Sequence, residues 1–334
     1  MPNSARLVGG DYTYLQAREA TFGTPITASG TQIPTEEMTI DHQLKAHQIN
    51  RATGLRGAIV DDMWVDTVGS TPTAQAKYVL SRGMMPLLPA TLQRTPDWAA
   101  VANVMTYSTS LYSGLPNFAS NEGYFYTLMA NCPQASMDER IVSAISNSFT
   151  ISISPDDNEG ALTVTQDFIG QSSATSLSLT PSTITVPTMS QIYSWSDIQS
   201  VAFGAVDLTQ EFLSAEITVS NNAMAIPTAP AKDYALVRWE VTGSMVLMGD
   251  TTDVRGILSA MFDQAPGTAS NLVIKFGTTG ASPSGSDDLI ITVYAQMTGY
   301  SWDRSENEKV TVNFTGAFSA TGTSVPFSIS YFVA

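Results

Sequence analysis

The chain has 334 residues and a formal net charge of −15, and it is rich in apolar residues, serine and threonine but poor in charged residues. This composition excludes an intrinsically disordered chain, which needs low hydrophobicity and high charge, and it favours an all-β protein with many short strands. The negative charge argues against binding of free nucleic acid, because such binding depends on Lys and Arg contacts to phosphate.

Cysteine content and the first residues indicate where the chain folds. The single cysteine, Cys132, allows no intrachain disulfide and favours a reducing compartment. The first residues include Arg6 and Asp11 rather than an apolar run, so no secretory signal is predicted. No segment approaches the roughly 20 apolar residues of a membrane-spanning helix, so no membrane association is expected.

The start of the chain is predicted to combine strands with one long loop. Residues 1–35 are expected to form an N-terminal arm, and residues 37–40 and 64–70 have the alternation of strands. Residues 41–62 are too long for an ordinary connection, and such segments are often functional arms that reach a neighbouring molecule. A short helical or compact apolar stretch is predicted at 84–88.

A strand at 124–128 and a β-hairpin are predicted before the middle of the chain. Apolar residues alternate over 149–153 and again over 162–168, and residues 155–160 between them have the composition of a turn. The Ser/Thr-rich segment 171–204 is predicted to connect the two halves of the chain.

The second half has the same kind of pattern. Apolar residues at helical spacing over 254–262, directly after the capping residues 250–253, predict the best helix of the chain. Alternation predicts strands at 216–219, 237–247, 272–276, 291–297 and 310–314.

Two copies of the pattern V-T-x-[D/N]-F-x-G, at 164–170 and 310–316, indicate an internal repeat. Around them the predicted elements align in one order: 37–40 with 216–219, 64–70 with 239–244, 84–88 with 254–262, and the strand at Tyr124 with the strand at Leu289. The repeat predicts an all-β fold with minor α, made of two related β-sandwich or barrel domains, each with one short packed helix. The alternative is that a β-rich chain produces such echoes by chance.

Domain boundaries follow from this alignment. The first domain is predicted at 36–170, the connection at 171–204 and the second domain at 205–334. Equivalent core positions are predicted for Phe168 and Phe314, and for the two glycines that end the repeated strands, Gly170 and Gly316.

Residue patterns for catalysis and cofactor binding are missing from the sequence. The two histidines, His42 and His47, lack the spacing of a metal pair, and no G-x-S-x-G motif occurs. The acidic residues 156–159 have the composition of a calcium loop but not its spacing, so they are interpreted as a turn. The Gly-rich segment 277–285 lacks the Lys-Ser/Thr end of a phosphate loop. No catalytic residue, cofactor or metal site is predicted.

Three segments resemble the major tail tube proteins of long-tailed, non-contractile bacteriophages. Residues 14–25 resemble the opening of that family, residues 132–170 its passage from a cysteine to the V-T-x-D-F-x-G strand, and residues 219–262 its second half. All three consist of packing and turn residues, and together they span most of the chain.

This resemblance implies a structural virion protein whose rings stack into a tube for genome passage. Family members with two tube-type domains form trimeric rings with pseudo-sixfold symmetry, and those with one form hexameric rings, so the predicted repeat favours three copies. The implied partners are further copies of the chain and other tail proteins such as the tape measure and terminator, with DNA passing through without specific binding. The implied location is the virion tail, after folding in the host bacterial cytoplasm.

Two further expectations concern surfaces. Five residues of the long loop are candidate inter-subunit contacts, because they combine apolar anchors with basic side chains: Leu44, Ile49, Arg51, Leu55 and Arg56. A mobile surface loop is the alternative. An acidic lumen would let DNA slide without binding, although acidity for solubility alone is also compatible with the net charge.

Three other functions fit the composition. The chain could be a tail terminator or a capsid decoration protein with a related β fold. A carbohydrate-binding or adhesive β-sandwich is a third possibility, suggested by Trp98, Trp195 and Trp302, although such tryptophans are more often core or interface anchors.

Overall fold

The computed structural model describes fifteen stretches of the chain and confirms an all-β fold with minor α. The described residues are 13–41, 44–50, 63–100, 102–109, 123–132, 137–176, 183–186, 192–227, 232–236, 239–249, 251–263, 269–285, 288–303, 308–317 and 325–333.

Strands make up most of the described chain. In the first half they are β1 (Thr13–Arg18), β2 (Ser29–Gln32), β3 (Thr35–Asp41), β4 (Leu44–Asn50), β5 (Met63–Ser70), β6 (Thr73–Val79), β7 (Asp97–Ala99), β8 (Val104–Ser108), β9 (Tyr126–Cys132), β10 (Met137–Ile153), β11 (Thr163–Ile169) and β12 (Ser172–Ser176). In the second half they are β13 (Thr183–Thr185), β14 (Ile198–Phe203), β15 (Val206–Asp207), β16 (Phe212–Ser220), β17 (Met224–Pro227), β18 (Lys232–Ala235), β19 (Glu240–Met248), β20 (Ser270–Phe276), β21 (Leu289–Asp303), β22 (Lys309–Gly316) and β23 (Phe327–Phe332).

Among the described residues, each half of the chain has one short α-helix. A 3-10 turn (Arg82–Leu87) leads into the single-turn α1 (Pro89–Leu92), and the second half has α2 (Thr252–Asp263). The predicted capping of the second helix is present, because the backbone N–H of Val254 donates to Oγ1 of Thr251 at 3.2 Å.

The same scheme of strand pairs occurs twice along the chain. In the first set, which we call the first unit (13–176), β1 pairs with β2 and β9, β10 with β9, β11 and β12, and β6 with β3 and β11. In the second unit (198–332), β14 pairs with β15 and β20, β21 with β20, β22 and β23, and β19 with β16 and β22. The hairpins β4–β5 and β17–β18 are inserted at the same place in the two sets.

β-Bulges fix how the two units superimpose. The β10–β11 ladder shifts between Ser146 and Ser148, next to Phe168, and the β21–β22 ladder shifts between Met297 and Gly299, next to Phe314. Bulges re-aim side chains and are specific features of a sheet. Each phenylalanine lies beside the bulge of its own ladder, and the equivalence of the two positions stays a prediction.

Both phenylalanines are buried in one large hydrophobic cluster that includes strands of both units and both helical segments. Phe168 is 1% exposed and Phe314 is 3% exposed. The cluster forms because apolar side chains alternate along the strands of both units, so one face of each sheet packs inwards.

Two elements have counterparts other than those that the sequence alignment predicted. The strand that corresponds to β19 is β6, not the predicted 64–70, since β6 and β19 are the strands that pair with β3 and β16. The long strand β21, which contains Leu289, corresponds to β10, whereas the strand at Tyr126 corresponds to β20. Both differences arise because sequence alternation marks a strand but does not identify its neighbours.

Gly170→Ala is expected to destabilise the fold by about 1–3 kcal/mol, the usual range for overpacking. A Cβ at Gly170 would collide with the Ile141 side chain and come within 3.0 Å of Pro72 Cγ. Urea unfolding measures the change in free energy. Gly256→Ala is the matched control. Gly256 lies in α2, and a Cβ added there would contact nothing within 4 Å beyond its own helix turn. This substitution should raise the free energy of unfolding by about 0.5–1 kcal/mol, because alanine has the higher helix propensity.

Candidate functional site

The strand pairs of the two units join into one eight-stranded antiparallel sheet. Its order is β3-β6-β11-β10-β16-β19-β22-β21, and the pair β10–β16 joins the units. Among the described residues, β3 forms one edge of this sheet, and residues 296–303 of β21 form the other. The edge of a sheet is a template for pairing with another strand.

The β10–β16 pair, which we call the internal junction, has matched side chains on both faces. Ile151 lies opposite Ile217, and both side chains are fully buried. On the other face, the hydroxyls of Thr150 and Thr218 are hydrogen-bonded at 2.8 Å. The internal junction therefore combines an apolar inner row with a polar outer row.

At the open edge, strand β21 has positions that correspond to those of β10 at the internal junction. Counting from the two bulges, Tyr300 corresponds to Phe149 and Trp302 to Ile151. Phe149 is fully buried, whereas Tyr300 is 40% exposed. Positions with large hydrophobic side chains that are buried at the internal junction thus have partly exposed counterparts at the edge.

The face of the eight-stranded sheet away from the core, which we call the polar face, carries mainly hydroxyl and amide side chains. One row of five threonines crosses five neighbouring strands: Thr165, Thr150, Thr218, Thr242 and Thr315. Such side chains alternate with the buried core residues along each strand.

The charges of the polar face are mostly negative. Its described carboxylates are Asp41, Asp167, Glu216, Glu240 and Asp303, and its described cations are Lys77 and Lys309. Asp167 Oδ1 accepts a hydrogen bond from Gln75 Nε2 at 2.7 Å, and its Oδ2 accepts one from Ser148 Oγ at 3.0 Å. The face can therefore present ordered acceptors and little positive charge to a polyanion.

A buried polar network holds the units together behind the internal junction. The side-chain amide of Asn221 donates to the carbonyls of Thr91 in α1 and Ser146 in β10, at 2.9 and 2.8 Å. Gln166 Nε2 donates to Thr91 Oγ1, and Gln166 Oε1 accepts from Tyr78 Oη. Because every member is hydrogen-bonded, this network connects α1 and the first unit's sheet to the second unit.

A second buried network surrounds Glu19, which is 3% exposed. Its carboxylate accepts hydrogen bonds from Thr127 Oγ1 at 2.6 Å and from the backbone N–H and hydroxyl of Ser143 at 2.8 and 2.6 Å. Desolvation by burial raises the pKa of Glu19 above its ordinary value of 4.5, although these hydrogen bonds act in the opposite direction. The network holds Ser143, whose φ is 50°, at the bulge of β10.

This raised pKa predicts a pH dependence that Glu19→Gln should remove. A raised folded-state pKa gives a stabilising contribution that is fully present below the unfolded pKa and is lost as pH rises through the folded pKa. The free energy of unfolding of the wild type, relative to the Gln variant, should therefore fall as pH rises from 4.5. Urea unfolding of both proteins at several pH values measures the difference, and a difference that rises with pH would contradict the assignment.

An aromatic cleft of about 610 Å³ lies between β1, β2 and the 3-10 turn. Tyr107, Tyr124 and Tyr126 line it, and the Arg18 guanidinium lies 4.0 Å from the Tyr124 ring centroid. Burial raises the pKa of Tyr107 and of Tyr126 far above the usual range for tyrosine, so both phenols stay neutral. The cleft therefore offers stacking and hydrogen bonding rather than acid–base chemistry.

Comparison with known families decides between the structural and adhesive interpretations. A family model described as phage tail tube protein matches residues 13–316. The chain belongs to the phage tail tube family. No curated protein matches the chain. Membership confirms the family resemblance at the level of a bacteriophage tail tube protein, which is a structural component of the virion tail.

The predicted contact residues of this tail tube protein are only partly described. Leu44 and Ile49 lie on β4, for which the backbone alone is described, and Arg51, Leu55 and Arg56 lie outside the described residues. Residues 44–50 of the predicted loop form a strand paired with β5. The contact assignment stays a prediction.

Sequence reasoning missed the two open edges and the polar face. Regular Ser/Thr alternation on β10, β11, β16 and β22 could have revealed the polar face. The edges could not be found, because edge position depends on pairing. Among the described side chains, no group of three or more His, Cys, Asp or Glu could hold a metal ion, and none of the described helices is both long and apolar enough to span a bilayer.

Proposed function

We propose that the chain polymerises into stacked rings that form the tail tube, through which the genome passes during ejection. The observation that supports this proposal is the eight-stranded sheet. Its edge strand β21 corresponds to β10 and its edge strand β3 corresponds to β16, and β10 and β16 are the two strands of the internal junction. The tail is of the long, non-contractile type that the sequence resembles. The protein folds in the host cytoplasm, and its tail partners are the tape measure and terminator proteins.

Each unit acts as one tube-type domain. The kind of strand pairing that joins the two units also joins neighbouring copies. Strand β21 of one copy pairs antiparallel with β3 of the next, as β10 pairs with β16. We apply the register of the β10–β16 pair to β21 and β3 and align the strands at their bulges. Trp302 then lies opposite Ile40, and Ser301 lies opposite Asp41. This closes the two open edges without any change in strand order.

Three copies close the ring in this proposal. Each chain supplies two units, so three copies give the pseudo-sixfold arrangement that the resemblance implies. The resulting wall has 24 strands, from eight in each copy. At about 4.8 Å per strand its backbone diameter is at least about 37 Å before strand tilt widens it, which leaves room for a DNA duplex.

The polar face lines the lumen in this arrangement, since the opposite face of the sheet packs on the core. Its five carboxylates outnumber its two lysines among the described residues. Such a wall offers phosphate groups little counter-charge and many small hydroxyl groups, so DNA slides past without specific binding.

Negative-stain electron microscopy of the concentrated protein tests the proposed function. Long tubes of uniform width are expected. Rings or monomers that never polymerise, or binding to glycans without assembly, would contradict the proposed function.

A charge exchange tests the proposed register. Ser301→Asp should weaken assembly, because it places a carboxylate opposite Asp41 of the next copy. The repulsion should cost about 0.2–1 kcal/mol at each junction between copies, and this cost is repeated throughout the tube. Adding Asp41→Lys should restore assembly, and sedimentation of tubes measures both effects. Thr242→Asp, on the same face but within the sheet, is the matched control. A double variant as defective as Ser301→Asp alone would overturn this register.

A further inference from the structure

The hairpin β17–β18 of the second unit lies on the surface of the first unit. Tyr234 and Leu236 are buried there in a small apolar cluster with Phe125 and Ile145. The Tyr234 hydroxyl donates to the carbonyl of Ser143 at 2.9 Å. The two units are therefore held by this packed hairpin as well as by the internal junction.

The hairpin β4–β5 is the counterpart of β17–β18 in the first unit. It is inserted between β3 and β6, as β17–β18 is inserted between β16 and β19. Among the described residues, β4 and β5 pair with each other and with no further strand. Counting back from β6 and β19, Val65 holds the position of Tyr234, and Thr67 that of Leu236.

In the first unit, the hairpin β17–β18 covers a surface of β10. The corresponding surface of the second unit, on β21, is partly exposed. Counting from the bulges, Tyr294 corresponds to Ser143 and Gln296 to Ile145. Ser143 and Ile145 are fully buried, whereas Tyr294 and Gln296 are half-buried. The second unit thus presents within the chain a surface that the first unit keeps covered.

We propose that the β4–β5 hairpin of each copy packs on the Tyr294–Gln296 surface of the adjacent copy in the same ring. The inference rests on the proposed ring, because β3 of the adjacent copy pairs with β21 and so carries its hairpin to this surface. Each junction between copies is then held by a strand pair and by this packed hairpin, which we call the clasp. The junction between the two units of one chain is held in the same way. The occupant is a second copy of this chain.

Thiol cross-linking tests the clasp in assembled tubes. Val65→Cys and Gln296→Cys are introduced together after Cys132→Ser, and a short bismaleimide is added once tubes are confirmed by electron microscopy. Because an in-ring clasp closes on itself, denaturing gels should show covalent dimers and trimers and nothing larger. Their yield should be at least about tenfold above that of a control pair, since a seated hairpin gives a high effective concentration. The control is Val65→Cys with Asp156→Cys, in the exposed turn after β10.

The other outcomes separate the clasp from the ring. A ladder that continues far beyond trimers would overturn the proposal, since it would place the hairpin on the next ring along the tube. Intact tubes without cross-links, for this pair and for Thr67→Cys with Gln296→Cys, would overturn it as well. A ladder that stops at six copies would support the clasp and contradict the three-copy ring. Failure of the wild-type chain to form tubes would contradict the proposed function alone.

Discussion

Tyr300→Asp is expected to abolish ring formation while the monomer stays folded. Tyr300 is 40% exposed in the chain, but its counterpart Phe149 is fully buried at the internal junction. In the ring, the variant would bury an unpaired carboxylate at every junction between copies. We expect a cost of at least about 3 kcal/mol per junction, which is roughly a hundredfold in affinity.

Sedimentation and electron microscopy measure assembly of this variant, and circular dichroism measures folding of its monomer. Tyr300→Phe is the conservative control and should assemble normally, because phenylalanine already occupies the corresponding position 149. Normal tubes from Tyr300→Asp would show that this edge of β21 is not an interface, and the proposed ring would be wrong.

Phe168→Ala and Phe314→Ala are each expected to lower the free energy of unfolding by about 3–5 kcal/mol, the usual cost of removing a buried phenylalanine. Phe168 lies opposite Ala74 in β6, and Phe314 lies opposite Gly243 in β19. A Cβ at Gly243 would lie 2.6 Å from Phe314 Cε2. The ring of Phe314 therefore fills the space that the Cβ of Ala74 occupies in the first unit.

Urea unfolding of both variants measures these costs. Trp98→Ala is the control: Trp98 is 48% exposed on β7, so its replacement should change the free energy of unfolding by less than about 1 kcal/mol. If only one of the two phenylalanine variants were destabilised, the equivalence of the two positions would be refuted.

The strands predicted at the two copies of V-T-x-[D/N]-F-x-G are present in the structure. The two copies form β11 and β22, and each lies beside a bulge of the long strand, at β10 or β21. The hairpin at 149–168 and the helix at 254–262 were also predictable. Local alternation and capping determine these elements, so one sequence is enough to find them.

The alignment of 37–40 with 216–219 was two residues out of step. The bulges of β3 and β16 match Glu37 with Ser214 and Ile40 with Ile217. An even shift keeps each side chain on the same face of its strand, so the apolar pattern agreed although the register did not. Register depends on the neighbouring strand, which a single sequence does not reveal.

The pairing of distant strands was beyond sequence reasoning for the same reason. Strand β8 of the first half pairs with β23 near the chain end, and β10 pairs with β16 across the two units. Neither pair has a local signal, because each depends on contacts between residues far apart in the chain. The open edges, and with them the assembly surfaces, follow from these pairs.

The number of copies in one ring tests the account most directly. Cryo-electron microscopy of tubes assembled from the purified chain measures this number and traces the strands of the wall. We predict three copies per ring, a wall of 24 strands, and β21 of each copy paired with β3 of the next. Six copies per ring, or a wall in which β21 and β3 do not meet, would contradict the account.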